Sequence, residues 1–98
     1  MIEEVVLSPV AREKLEQLLH YLRTEFSERT MLTFLSGLEK SVLAIQKYPE
    51  SCPASLKAKS VRKCVVTKQT VFYYRVQKDR IEILTLSDTR QHPAKSKY

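Results

Sequence analysis

The chain is poor in the residues that break or staple structure: of 98 residues one is glycine, four are proline, two are cysteine and none is tryptophan. A single glycine excludes a Gly-rich phosphate loop, and no Ser-His-Asp or paired-carboxylate pattern supports acyl transfer or glycoside hydrolysis. Two cysteines, Cys52 and Cys64, permit at most one bridge, so this is not a disulfide-framework domain. No Cys/His cluster with ligand spacing surrounds them, and neither a metal nor a cofactor is expected. In a reducing cytosol both are expected as free, structural thiols. No apolar run approaches the roughly 20 residues that cross a bilayer. The opening MIEEVVLSP has acids where a secretory signal carries a basic end and a hydrophobic segment. A cytoplasmic protein with no membrane partner is therefore expected.

What the chain does have is segregated charge. Residues 57–98 hold eleven Lys or Arg against three acids, a net of +8, whereas residues 1–56 hold six against eight, a net of −2. A field this one-sided raises encounter rates with polyanions and makes affinity salt-dependent, which points to nucleic acid, a ribonucleoprotein or an acidic protein.

The length suits one domain, residues 1–98, with its own core. Residues 2–7 are β-prone, and Ser8-Pro9 follows as a helix N-cap with proline at the first helical position. Ala11, Leu15, Leu18, Leu22 and Phe26 then recur at helical spacing. Ser27 caps a second helix along which Met31, Leu35, Leu38, Val42 and Ile45 repeat until Tyr48-Pro49 ends it, so short a joint implying an antiparallel hairpin. Gly37 inside this helix costs about 1 kcal/mol relative to alanine, and close approach of a neighbouring backbone is the expected reason. Residues 49–60 read as a loop. Residues 61–67, 70–76 and 80–87 are rich in β-branched and aromatic side chains, and their short linkers imply an antiparallel meander. Alternation places Phe72, Tyr74 and Val76 in the core and Val71, Tyr73 and Arg75 on an open face. The expected fold is α+β, in the order β-α-α-β-β-β, with a helical hairpin packed on one face of a mainly antiparallel four-stranded sheet. The strand order is left open.

This order resembles the RelE/ParE family of type II toxin-antitoxin toxins over nearly the whole chain. The resemblance is carried by Ser8-Pro9-Val10-Ala11, Tyr48-Pro49, Val61-Arg62-Lys63, residues 70–76, residues 81–84 and residues 88–93. It implies a toxin masked by a cognate antitoxin. RelE-like members cut mRNA in the ribosomal A site with basic residues on the sheet, whereas ParE-like members inhibit DNA gyrase. Arg62 and Arg90 match basic positions of the RelE-like site. Cys64 and Val71 stand where that site has a lysine and an arginine, and Ser96 where it has a tyrosine, with Tyr98 two residues on.

Arg90 and His92 are two apart, so an extended strand exit would put them on one side, where a histidine near its ordinary pKa suits acid-base work beside a phosphate-binding cation. Solvated residues at a strand end are the plainer account of both. Arg75 is expected either to bind phosphate or to pair across strands with Glu82. Arg62 and Lys63 point to opposite faces, and Arg62 is assigned to the open surface. The candidate catalytic set for a nuclease is thus Arg62, Arg90 and His92, and the target-binding set Arg62, Arg75, Arg90 and Lys95. The first functional expectation is a ParE-like inhibitor of gyrase or a similar target. The alternatives are a RelE-like endoribonuclease acting on ribosome-bound mRNA and a non-toxic basic nucleic-acid-binding domain.

Overall fold

The hydroxyl of Ser8 sets the geometry of the first half of the chain. In a computed structural model that describes residues 1–91 and 98, its oxygen accepts from the Ala11 N–H at 3.0 Å and so caps α1 (Pro9–Glu25). The same hydroxyl donates to the Leu84 carbonyl at 2.6 Å, tying the start of the helix to the last strand. Helix α1 ends at Phe26, and Ser27 caps α2 (Glu28–Lys47) by accepting from the Thr30 N–H, so the hairpin turns in two residues. The helical stripe holds except at its end: Ala11, Leu18, Leu22 and Ile45 are fully buried, with Leu15, Met31, Leu35, Leu38 and Val42 packed against the core, whereas Phe26, at the C-cap of α1, is 52% exposed and Phe34, outside the expected stripe, is buried.

Strands β1 (Glu4–Leu7), β2 (Arg62–Val65), β3 (Thr70–Gln77) and β4 (Arg80–Asp88) form one mixed sheet in the order β1-β4-β3-β2. The β2-β3-β4 meander is antiparallel, while β1 lies parallel to β4 with Val5 opposite Ile81. Parallel pairing needs a long connection, which the chain between β1 and β4 provides. Cys64, Phe72, Tyr74, Ile81, Ile83 and Leu86 make the sheet's share of the core. Ile83 and Leu86 are three apart, which strict alternation would place on opposite faces. A register shift at Tyr73/Tyr74 corrects this: Ile83 faces Tyr74, Thr85 faces Tyr73, and Leu84 is the extra residue of a bulge. The Leu84 carbonyl is the one that Ser8 satisfies.

Four expectations need correction. Val76 lies on the core face but is 44% exposed, because it sits beside the Lys78-Asp79 turn at the end of the ladder. The second face is not simply open: Tyr73 is only 3% exposed, with the Tyr98 ring packed 5.7 Å away. Gly37 has no backbone pressing on it; a Cβ there would meet only Val66 Cγ1 at 3.6 Å, an ordinary contact. Cys52 and Cys64 are joined in a disulfide rather than free. The physical reason is that residues 53–55 run back antiparallel to β2, with Ala54 bridged to Arg62, which sets the two cysteines opposite each other.

Two stability outcomes follow from these contacts. Gly37→Ala removes glycine's backbone entropy cost without a clash, and should raise stability by about 0.5–1 kcal/mol in urea denaturation. Ser8→Ala should lower it by about 2 kcal/mol, since it uncaps α1 and leaves the bulge carbonyl unsatisfied. A loss as small as that of an exposed serine would remove the second role.

Candidate functional site

The three arginines singled out in the sequence are all held by partners within the chain, each by a different local rule. Arg62 begins β2 directly opposite Tyr74, so its side chain lies on the helix side of the sheet edge and Lys63 takes the other face, the reverse of the expected assignment. Its guanidinium donates from Nη1 to the Cys52 carbonyl at 2.7 Å and to the Glu50 carbonyl at 3.3 Å, with the Glu50 carboxylate 3.7 Å from Nη2. Beside it the buried Tyr74 hydroxyl donates to the Pro49 carbonyl at 2.6 Å. Burial pushes the Tyr74 phenol above its ordinary pKa, and the Arg62 charge opposes that rise.

Arg75 and Glu82 are direct cross-strand neighbours, and Arg75 Nε donates to Glu82 Oε1 at 2.8 Å on the face away from the helices. This is the pairing that their spacing allowed. With the arginine side chain 42% exposed, the pair contributes little to stability.

Arg90 is the most deeply committed of the three. Its Nε and Nη2 grip the two oxygens of Asp88 at 3.0 and 2.7 Å, and its backbone N–H donates to the same carboxylate at 2.9 Å. The Asp88 side chain is 1% exposed and also accepts from the Thr70 hydroxyl. Above the guanidinium lies the Phe26 ring at 5.6 Å, and Tyr21 donates its hydroxyl to the Arg90 carbonyl at 3.1 Å. Arg90 thus fastens the end of β4 to the end of α1. Burial by itself would raise the Asp88 pKa, but the hydrogen bonds from Arg90 and Thr70 and the arginine charge outweigh it and hold the carboxyl below the usual aspartate range. The same hydrogen bonding pushes Arg90 further up.

These positions do not converge. Arg62 is level with Tyr74 on β3, and Asp88 is level with Thr70, four residues or about 13 Å away along the strand. Since β2 and β4 flank β3, a further ~9.5 Å separates them across the sheet. Arg75 is on the opposite face from both. His92 and Lys95 lie outside the described residues. Next to Arg90 the structure opens a cleft of about 290 Å³ lined by Arg29, Thr30, Thr33, Phe34 and Thr67. Arg29 was not anticipated, because it belongs to the half of the sequence with net negative charge and only the folding of α2 over the β2–β3 turn brings it to Arg90. Lys63, exposed beside the exposed Val65, takes the open-face position that the sequence pattern assigned to Arg62. Among the described residues no group of three or more His, Cys, Asp or Glu is placed to hold a metal, and no helix is long and apolar enough to cross a membrane.

The structure is thus an α+β domain, a helical hairpin over a mixed four-stranded sheet, with basic charge gathered in the second half of the chain. Residues 5–93 match the family described as ParE toxin of type II toxin-antitoxin system, parDE, and the chain belongs to that family. It is the toxin component of such a pair, and a cognate antitoxin is its partner. Among solved structures, a chain of the chromosomal ParDE toxin-antitoxin system from P. aeruginosa superposes with a TM-score of 0.73 at 13% identity, covering 89% of this chain and 96% of that one. A copper-bound mutant toxin from Helicobacter pylori superposes at 0.66 and 20% identity, covering 94% and 99%. At these identities the two likenesses bear on the fold alone. No curated protein matches the chain significantly.

The Asp88 carboxylate carries a pH signature. Its folded-state pKa lies below the unfolded value of about 3.9, so its contribution is fully present above that value and lost as pH falls through the lower, folded one. Asp88→Asn should cost about 3 kcal/mol at neutral pH by stranding the half-buried Arg90 charge. The deficit should shrink as pH falls through the unfolded aspartate value of about 3.9 and below it, where the wild type protonates. Urea denaturation across that range reads both, and a pH-independent gap would show that Asp88 is not ionised in the fold.

Proposed function

We propose that this toxin acts by binding rather than by cutting: it is a ParE-like inhibitor of DNA gyrase or a closely similar protein–nucleic acid target, working in the cytoplasm until its antitoxin covers it. The observation that carries this reading is the dispersal of the arginines. A ribonuclease of the RelE type needs several cations around one scissile phosphate, aimed where charge develops. Here Arg62, Arg75 and Arg90 sit at two ends and on two faces of the sheet, each neutralised by a carboxylate of this chain. Of the two further basic positions of that site, one is Cys64, buried and disulfide-bonded, and the other is Val71. The net charge of +8 over residues 57–98 remains available as a field that steers the chain towards a polyanion-bearing target.

The experiment is induced expression followed by two parallel measurements. Gyrase-linked DNA cleavage complexes should accumulate while transcripts stay intact. Transcripts cut at ribosomal A-site codons, with gyrase undisturbed, would overturn the reading in favour of the RelE-like endoribonuclease. Normal growth with neither effect would equally overturn it and return the non-toxic basic binding domain. Lys63→Glu, a change at an exposed position, should weaken inhibition about fivefold, the equivalent of one surface charge contact of about 1 kcal/mol, with unfolding unchanged.

A further inference from the structure

Residues 49–60 are folded back along the outer edge of the sheet. The Ser55 N–H donates to the Val61 carbonyl at 2.7 Å and the Lys63 N–H to the Pro53 carbonyl at 2.9 Å, around the Ala54–Arg62 bridge. Two steps outward from that bridge on either side lie Cys52 and Cys64, with Cα atoms 5.3 Å apart. That separation falls inside the span of about 4.4–6.8 Å that a disulfide bridges without backbone movement, so the dithiol and disulfide forms fit the same backbone. The two sulfurs differ in access: Cys64 is buried in the core cluster and Cys52 is only half-buried. The Arg62 guanidinium donates to the Cys52 carbonyl at 2.7 Å, which ties the segment carrying Cys52 to β2.

We infer that Cys52 and Cys64 form a redox-modification site that takes low-molecular-weight disulfides and thiols as its substrates, and whose state decides whether residues 49–60 are latched to β2. Oxidation runs in two exchanges. The Cys52 thiolate attacks one sulfur of R–S–S–R, forming a mixed disulfide and expelling one R–S⁻. The Cys64 thiolate then attacks the Cys52 sulfur, forming the internal bond and expelling the second R–S⁻. Two electrons pass from the protein to the small disulfide, and the two protons of the protein thiols end on the departing thiolates. Excess R–SH reverses both steps.

The consequence lies at the edge of the sheet. Strand β2 is an edge strand, and its outer hydrogen-bonding groups are covered by residues 53–55. With the covalent tie open, that cover is held only by a few backbone bonds and by the Arg62 and Tyr74 side chains, which bond the Glu50, Cys52 and Pro49 carbonyls. Disulfides in reducing compartments are characteristically transient and redox-sensing, and an uncovered edge is a template for pairing with another chain. The inference does not depend on the identity of the target.

The test uses the full chain in buffers poised with reduced or oxidised glutathione. Cys52, the more accessible of the two, should be alkylated by iodoacetamide in the reducing buffer, and neither cysteine in the oxidising one. Trypsin should cut after the exposed Lys57 and Lys59 about tenfold faster in the reduced state, reversing on reoxidation, because the segment then opens without global unfolding. Cys52→Ser should be cut at the fast rate in both buffers. Equal cleavage of the wild type in the two buffers would overturn the latch, as would thiols that stay reactive in the oxidising buffer. Comparing two states of the wild type keeps the result independent of whether the variant folds.

Discussion

The fold depends on one hydroxyl placed at a junction. Ser8 sits where β1 ends and α1 begins, and it has to satisfy a helix that starts with unpaired N–H groups and a strand that contains one residue too many. Accepting from Ala11 and donating to Leu84, it meets both demands with one oxygen. The backbone N–H of Ser8 also donates to the Ile83 carbonyl at 2.9 Å, so the parallel ladder runs directly into the cap. This fixes where α1 leaves the sheet, and with it the line along which Ala11, Leu18 and Leu22 meet Ile81, Ile83 and Leu86. The bulge in turn keeps β4 in phase with the core across its whole length, so Asp88 ends on the helix side, where Thr70 and Arg90 reach it.

Charge in this protein therefore has two uses that composition does not separate. Part of it is architectural: Arg90 with Asp88 closes the far end of the sheet against α1, and Arg62 with Glu50 pins the loop before β2. The rest is field. The exposed lysines of the second half, including Lys63 and Lys68, leave the sheet region positive after the internal pairs are discounted. A buried pair such as Arg90–Asp88 is weak evidence for net stability, because desolvation offsets its attraction, but it strongly penalises any state in which one partner is missing. That penalty makes Arg90 a position where loss of folding and loss of binding are easily confused.

The belonging of this chain to the ParE toxin family and the dispersal of its arginines bear on each other. Under the proposed binding mode, a surface rather than a converged catalytic centre is what the toxin needs, which leaves its arginines free for structure. The edge-strand latch fits the same picture, since it modifies a surface rather than a reaction centre.

Much of the fold is legible in the sequence. Ser8-Pro9, Ser27, Tyr48-Pro49 and the helical stripes are local signals, decided by neighbours within a few residues, and they place both helices and all four strands to within a few residues. The strand order, the parallel pairing of β1, the bulge at Leu84 and the partner of each cysteine were not legible, because each depends on residues brought together from distant segments. The same division runs through the site. Residue type and spacing by themselves determined that the chain is basic in its second half, that Arg75 has Glu82 within cross-strand reach, and that no dedicated metal or phosphate motif is present. Only the tertiary structure decided that Arg62 turns towards the helices, that Arg90 is bound up with a buried carboxylate, and that Arg29 joins it beside a cleft. Sequence specifies which groups carry charge, whereas burial and register specify which of those charges remain for a partner.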